Sequence, residues 1–407
     1  MNAELLAIGS ELVCGASLDT NSQWLSRELE ARGYTVTRHT TIADDLPAMI
    51  ETLQAAALRC RIVLVTGGLG PTRDDITRDA IAGAFDQTLV EDVAELNHIK
   101  ALFARFDRKM PERNAVQAMI PDGGQALRNN HGTAPGIMLE LTDPDCLVAA
   151  MPGVPREMKK MFEQQLDSRL PESPIVVRRV MIRTFGYGES RAEELLGDLT
   201  ARGNNPEVGI TASGAIISLS VTARADSEAE CENLIQPVVD TIYETLGHAV
   251  FGRDDDQLHG VVCQMLTQEN RTVALAEGTT TGGLLSQWLY QTQHDSAPVV
   301  HSDRLVAGGE DTSDLLQLCE SIRDQADYAI VTSHSTVSAD AETKGGIQEG
   351  QFGVVGPDLS RVVDVRFTGD LGFFRELACR MALNLIRLHL SGIPVEGALP
   401  RFASDKS

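Results

Sequence analysis

The sequence predicts an α/β protein. A doubly wound, mainly parallel sheet occupies residues 1–169, a small α+β module 175–252, and a second α/β domain 257–395, with an irregular tail at 396–407. Three observations carry this. Short apolar runs alternate with helical patterns through the first 165 residues, the pattern of strands and helices wound into one sheet. Ile62-Val63-Leu64-Val65 is apolar without alternation, the mark of a central parallel strand covered on both faces. "LPESP" at 170–174 is a Pro-rich break, after which the pattern changes.

The elements follow in order. "ELLAIGS" is a short strand ending in Gly9. A helix runs from Thr20 to Arg32, with Thr20 and Gln23 spaced as a capping box and Gly33 as its stop. "YTVTRHTTI" alternates as a strand, and Asp44 or Asp45 opens a helix through "LPAMIETLQAAAL". After "RIVLV" the pattern reads as helix from Ile76 to about Phe106, then as a buried strand at Cys146–Met151 and a helix with Pro155 in its first turn. In the middle module, "IVVRRVMIRTFG" and "GAIISLSVTARA" are strands, and residues 189–199 and "AECENLIQPVVDTIYETLG" are helices. The last part has strands at "TVALAE", "YAIVT" and "RVVDVRF" and ends on the helix "FFRELACRMALNLIRLHL".

Composition narrows the function classes. At 407 residues two or three domains are expected, and 43% apolar with 23% charged residues is the balance of a folded soluble chain. A formal charge of −23 argues against broad nucleic-acid or anionic-membrane binding, which needs clustered Lys and Arg. It leaves room for a small phosphate ligand held by backbone N–H groups and a metal. No apolar run has the length of a membrane span, and "MNAELLAIGSE" lacks the basic start of a signal peptide, so a cytoplasmic location is expected. Seven scattered cysteines without a Cys-x-x-Cys pair read as free, mostly buried thiols.

The chemistry concentrates at "TGGLGPTRDDITRDAI", residues 66–81, at the end of the apolar strand. Gly67, Gly68 and Gly70 permit close backbone approach, and successive N–H groups beside a helix start make an anion cradle. Asp74 and Asp75 would repel a phosphate unless a divalent cation sat between them, so the loop reads as a site for a metal-bridged phosphate. The plainer alternative is capping: Thr72 and Asp75 have capping-box spacing. Glu11, Asp19 and Asn21 cluster after the first strand, where they would face the loop, with capping by Asp19 or Thr20 as the alternative. Gly132, Pro135, Gly136, Pro152, Gly153 and Pro155 make tight turns around the Cys146–Met151 strand and would wall a cleft, with His131 as a turn residue.

These motifs, with "GSELVCGASLDTNSQWLSREL", "MPERNAVQAMIPDG", "HGTAPG" and "MPGVPREMKKMF", resemble the N-terminal domain of the CinA (competence/damage-inducible protein) family, of molybdopterin-binding-like fold, across nearly all of residues 1–165. "FGYGES" in the middle module is similar to the same family. The resemblance implies a divalent-metal-dependent ADP-ribose pyrophosphatase yielding AMP and ribose 5-phosphate, with Mg, Mn, Co or Ni as the ion. It implies Gly67, Gly68, Gly70 and Thr72 as the phosphate cradle, and Asp74 and Asp75 as metal ligands or the base that positions water. Glu11, Asp19 and Asn21 would hold the sugar or a metal-bound water, and Asn114 would contact substrate. A homodimer acting on a small nucleotide is implied, with no nucleic-acid or membrane partner.

The last part resembles the family's C-terminal nicotinamide-mononucleotide amidase domain through "LAEGTTTGGLLSQWL" and the final helix, but it departs where the chemistry lies. The family's serine nucleophile after Ala-Glu is absent: here Ala276-Glu277 is followed by Gly278, Thr279, Thr280 and Thr281. "VVHSDRLVAGGE" lacks the family's tyrosine and lysine, and "TSHSTVSAD" replaces another of its loops. The expectation is a domain that keeps its fold and has lost deamidation. The alternative for the whole chain is a non-catalytic molybdopterin- or nucleotide-binding protein with a regulatory or oligomerisation C-terminal domain.

Overall fold

The computed structural model of the protein describes residues 1–291, 299–305, 314–324, 326–338, 346–395 and 403–406. The chain divides into two compact units, residues 1–178 with 224–231, and residues 179–223 with 232–407.

The first unit holds strands β1 (Asn2–Ile8), β2 (Thr35–Ile42), β3 (Ile62–Thr66), β4 (Leu89–Glu91), β5 (Met119–Pro121), β6 (Gln125–Leu127), β7 (Gly136–Thr142) and β8 (Asp145–Met151). Its helices are α1 (Ser10–Val13), α2 (Thr20–Ala31), α3 (Leu46–Ala57), α4 (Thr77–Ala84), α5 (Val93–Ala104) and α6 (Pro155–Met161). Six strands form one sheet in the order β2-β1-β3-β8-β7-β6. The first four are parallel; β7 and β6 join antiparallel at one edge. Side chains alternate faces along each strand. Leu6, Val63 and Val65 therefore pack with Met49 and Leu53 of α3 and Ile81 of α4, while Leu5 and Leu64 pack with Leu25 and Leu29 of α2 and Met158 of α6. Two cores, one on each face, explain why Ile62–Val65 of β3 is apolar without alternation.

Two local readings need correction. The stretch from Ile76 to Phe106 is not one helix: α4 ends at Ala84, Asp86 adopts a left-handed φ of 52°, and β4 pairs with β5 before α5 begins. Asp92 opens α5 by accepting the Glu95 N–H at 3.0 Å, so acidic residues at 86 and 92 punctuate a pattern that is apolar on both sides. At α2 the cap is Asp19, not Thr20; its carboxylate accepts the Ser22 N–H at 2.9 Å. Asp45 does the same for α3, accepting from Ala48 at 3.0 Å.

The remaining strands are β9 (Val176–Phe185), β10 (Glu207–Ser213), β11 (Ile216–Ala225), β12 (Val250–Arg253), β13 (Val273–Glu277), β14 (Val299–Arg304), β15 (Tyr328–Thr332), β16 (Thr336–Ser338), β17 (Ile347–Gly356), β18 (Leu359–Thr368) and β19 (Ala403–Lys406). The helices are α7 (Glu189–Leu196), α8 (Glu228–Leu246), α9 (Leu258–Gln268), α10 (Leu284–Gln291), α11 (Leu315–Arg323) and α12 (Leu371–Leu390). One sheet runs β10-β11-β9-β12; the other runs β14-β13-β15-β17-β18-β19, with β16 on β17. In the second sheet β14, β13 and β15 are parallel and the rest antiparallel. Phe185 and Phe251 share a core with Leu275, Ile330, Phe352 and Phe374. The helix expected over 189–199 stops at Leu196, where Gly197 takes a φ of 53°. The tail is not irregular throughout, because Ala403–Lys406 pairs with β18; residues 396–402 and 407 lie outside the described residues. Among the described residues no helix is long and apolar enough to cross a membrane.

Candidate functional site

Three loops leave the carboxyl ends of β1, β3 and β8 side by side, because Ala7, Thr66 and Met151 lie opposite one another in the parallel register. Ligands of open parallel sheets bind at such ends. The Gly67 N–H donates to the Met151 carbonyl at 3.0 Å. Gly67 has a φ of 100°, and a Cβ there would stand 2.3 Å from the Ile8 carbonyl oxygen, so only glycine lets these backbones meet.

The start of α4 fastens the glycine loop from one side. The Thr77 hydroxyl donates to the Gly67 carbonyl at 2.9 Å and its N–H to the Gly68 carbonyl at 3.1 Å. Arg78 Nη2 donates to the Leu69 carbonyl and, at 2.8 Å, to the Gly70 carbonyl. Four successive carbonyls therefore face α4. In a trans peptide the N–H points opposite to the C=O, so the N–H groups of Gly68, Leu69 and Gly70 face away from α4. The fourth plane ends in Pro71, which has no N–H. Among the described residues none of the three N–H groups has an acceptor, and successive N–H groups turned one way form an anion nest.

The paired aspartates have different surroundings. Asp75 Oδ2 accepts the Thr72 N–H at 2.8 Å and the Thr72 hydroxyl, and the carboxylate lies against Gly70. Thr72 and Asp75 thus form a reciprocal turn ahead of α4, and Thr72 presents its N–H to Asp75 instead of to the nest. Asp74 is exposed. The nearby Thr72 hydroxyl and its own backbone N–H hold its carboxyl below the usual aspartate range. It is the more exposed of the two carboxylates. Among the described residues no group of three or more His, Cys, Asp or Glu side chains is arranged to hold a metal ion.

The other expected residues divide. Asn21 joins the site: it is buried, its Nδ2 donates to the Gly153 carbonyl at 2.8 Å, and among the described residues its Oδ1 has no donor. Asn114 is buried behind the loop, donating to Gln117 Oε1 at 2.9 Å; Gln117 in turn reaches the Leu69 carbonyl at 3.5 Å. Asp19 caps α2, as above. Glu11 is exposed, with its carboxylate against the Gly9 backbone. His131 is exposed, and its N–H closes a turn on Asn129 Oδ1 at 2.9 Å. Sequence reasoning missed Thr77, Arg78 and Gln117. Arg78 carried a signal: a cation in the first turn of a helix opposes the helix dipole and needs a reason to be there.

In the second unit the loop after β13 is knitted to the loop after β15. Glu277 is buried and accepts the N–H groups of Leu285 and Ser286 at 3.1 and 2.8 Å, so it caps α10. Thr279 Oγ1 accepts the Ser335 N–H at 2.8 Å. Thr280 and Thr281, both fully buried, share hydrogen bonds with Ser333 and Thr332 at 3.2 and 2.9 Å. Residues 306–310 of "VVHSDRLVAGGE" and 339–340 of "TSHSTVSAD" lie outside the described residues. All seven cysteines are free, and burial pushes the Cys146 and Cys319 thiols up to about 12.

Residues 4–172 match the model of a probable molybdopterin binding domain, and residues 179–252 that of the damage-inducible protein CinA KH domain. A CinA-like protein of Frankia casuarinae is 36% identical over 426 aligned positions, covering 97% of each chain. A putative competence-damage inducible protein of Caldicellulosiruptor bescii is 31% identical, covering 95% of this chain and 98% of its own. The crystal structure of the protein CinA, of unknown function, from Thermoplasma acidophilum is 29% identical with a TM-score of 0.39, covering 42% of this chain and 98% of its own. The resemblance expected from the motifs thus extends along the whole length, and the chain belongs to the CinA family of competence/damage-inducible proteins.

Proposed function

We propose that the first unit is a metal-dependent hydrolase that cleaves the diphosphate of ADP-ribose or a related nucleotide, giving AMP and ribose 5-phosphate. The observation that carries this reading is the nest of Gly68, Leu69 and Gly70 N–H groups lying in the same loop as an ionised, exposed Asp74. A nest alone binds phosphate; an adjoining exposed carboxylate repels it and belongs there when a cation comes with the ligand. The donor set fits such a cation: Asp74 offers one hard oxygen ligand, and ions of this type take the rest from substrate phosphates and water. When bound, the ion supplies charge neutralisation and a water of lowered pKa.

The chain's own residues do the following in this reading. The nest receives phosphate oxygens and stabilises charge that develops on them. Asp74 stays ionised through the neutral range. Asn21 Oδ1, buried without a donor among the described residues, accepts from a hydroxyl of the ligand. Thr72 and Asp75 hold the loop's shape, and Asn114 supports it through Gln117.

The second unit, in the same proposal, does not deamidate nicotinamide mononucleotide. The chain has one residue more than the family between Ala276-Glu277 and Gly282-Gly283; counted forward from Glu277, the position of the family's serine is Gly278, where a Cβ would stand 2.3 Å from the Ser333 carbonyl oxygen. One observation favours a second reading, nucleotide or molybdopterin binding without turnover: Asp75 is engaged by Thr72, which leaves Asp74 as the loop's more exposed carboxylate. AMP release from ADP-ribose by the purified chain decides between them, measured with Mg²⁺, Mn²⁺, Co²⁺ or Ni²⁺ and then with EDTA. Metal-dependent AMP supports the hydrolase; folded protein that releases none with any ion leaves the binding reading.

A further inference from the structure

Arg78 is a cation that folding alone does not explain. It is the second residue of α4, where the positive end of the helix disfavours it. It is 1% exposed, and a charge taken out of water is tolerated only when well paired. Its acceptors are backbone carbonyls, those of Leu69 and Gly70 and, at 3.4 Å, that of Asp75. Among the described residues its buried Nε has no acceptor. Asp75 and Asp79 attract the guanidinium only through space, and burial draws its pKa below the usual arginine value. An apolar residue of similar volume would avoid burying the charge but would leave the Leu69 and Gly70 carbonyls without this donor, so the charge is kept at a cost in order to hold those two peptides.

What Arg78 holds gives the reason. The carbonyl of Leu69 and the N–H of Gly70 are two ends of one peptide plane, and the guanidinium binds the carbonyl end. A phosphate in the nest would bind the other end. The buried positive charge and the ligand's negative charge would then lie on opposite sides of the same peptides, each strengthening the peptide dipole that joins them.

We propose that Arg78 is a positioning residue of the nest: it fixes the direction of the loop's N–H groups, and its charge is balanced by a phosphate- or diphosphate-bearing ligand on the far side. The proposal rests on the reading of the loop as a phosphate site and names the charge that makes it one. Its partner is an anion of high charge, not a neutral sugar or base.

The test uses the full chain and inorganic pyrophosphate, with Mg²⁺ and separately in EDTA, because the Asp74 carboxylate repels the metal-free anion and binding under either condition reports on the nest. Binding is followed by calorimetry at two salt concentrations and by the pyrophosphate-induced rise in Tm, for wild type, Arg78→Lys, Arg78→Gln and Arg78→Met. Wild type is expected to bind with a salt-dependent affinity. Arg78→Met and Arg78→Gln, once folded, are expected to lose about tenfold or more, the loss that follows removal of a charge-assisted contact. Arg78→Lys keeps the charge without the fork and is expected to recover part of the affinity and the salt slope.

Three results overturn the proposal: no pyrophosphate binding by wild type under either condition, affinity within about twofold of wild type in Arg78→Met or Arg78→Gln, or a loss in Arg78→Lys as large as in Arg78→Met, the pattern of a purely structural residue. If neither neutral variant folds, Arg78→Lys decides alone: a Tm rise on pyrophosphate supports the charge role, and its absence refutes it. Arg78-dependent pyrophosphate binding without AMP release from ADP-ribose would remove the hydrolase reading and keep this one. Hydrolysis indifferent to Arg78→Met would do the reverse.

Discussion

Asn21 Nδ2 donates to the Gly153 carbonyl at 2.8 Å, joining α2 to the loop after β8, while its Oδ1 is buried without a donor among the described residues. One half of the amide closes the site and the other faces a gap in the hydrogen bonding, where buried polar atoms rarely stay unsatisfied. Asn21→Ala is expected to cost about 1 kcal/mol of stability through the lost hydrogen bond. It is also expected to raise the KM for ADP-ribose by about tenfold, while kcat changes less. Asn21→Asp cannot donate to Gly153 and adds a negative charge near the nest, so its KM should rise further. Melting curves and steady-state kinetics check both; an unchanged KM in the two variants would remove Asn21 from the site.

Asp74 and Asp75 are adjacent in sequence, yet their substitutions should differ in kind. Asp74→Asn is expected to leave Tm essentially unchanged, since substitutions at exposed positions away from packed contacts are close to neutral, and to abolish metal-stimulated hydrolysis. Asp75→Asn weakens the turn made with Thr72, so it should lower stability by about 1 kcal/mol and reduce activity only in part. A metal titration of both proteins separates them. Equal loss of metal response in both, with equal stability, would mean that the two carboxylates act together.

Much of this was legible in the sequence, and the parts that were not have physical causes. The apolar run of β3 announced a central parallel strand because both faces of the sheet are covered. The glycines of the loop announced close backbone approach, and Gly67 meets Ile8 and Met151 as expected. Asp19 was ambiguous in sequence between ligand and cap because a carboxylate at a helix start suits both; its hydrogen bond to Ser22 places it as the cap. Gln117 and Arg78 are joined to the loop through the Leu69 carbonyl oxygen, and no side-chain pattern reports where a carbonyl points. β17 was missed because "IQEGQFGVVG" carries three glycines and little alternation, and its strand character comes from pairing with β15 and β18.

Glu4 supplies a pH dependence unrelated to the loop. It is buried in β1 and receives a two-pronged contact from Arg59, at 2.8 and 2.7 Å, which holds its carboxyl below the usual glutamate range. A depressed folded pKa gives stability that is fully present above the unfolded value near 4.5 and is lost as pH falls through the lower folded value. Wild-type Tm should therefore fall as pH drops below about 4.5. Arg59→Met leaves the carboxylate buried without its main partner, at an expected cost of about 2–3 kcal/mol at pH 7, moderated because Arg59 is partly exposed. Burial then raises the Glu4 pKa, so the variant's deficit should shrink on going from pH 7 to pH 4. Differential scanning calorimetry across that range checks the sign, and a deficit that grows with acid would contradict the assignment.

In the proposed reading the second unit does not deamidate, and Gly278 tests whether one substitution or the backbone around it would account for that. The Gly278 N–H donates to the Thr332 carbonyl at 2.9 Å, which draws its Cα against the loop after β15 and leaves 2.3 Å between a Cβ and the Ser333 oxygen. Serine at this place would have to push the two loops apart, and overpacking of this kind costs about 1–3 kcal/mol. Wild type is expected to release no ammonia from nicotinamide mononucleotide. Gly278→Ser should release none either and should melt several degrees lower, so that restoring the nucleophile's identity fails to restore its geometry. Ammonia from Gly278→Ser with an undiminished Tm would show that the loop accepts a side chain and that only the residue had been lost. Ammonia from wild type would instead implicate Thr279, whose hydroxyl is the exposed one of the three, because Thr280 and Thr281 are buried and bonded to Ser333 and Thr332.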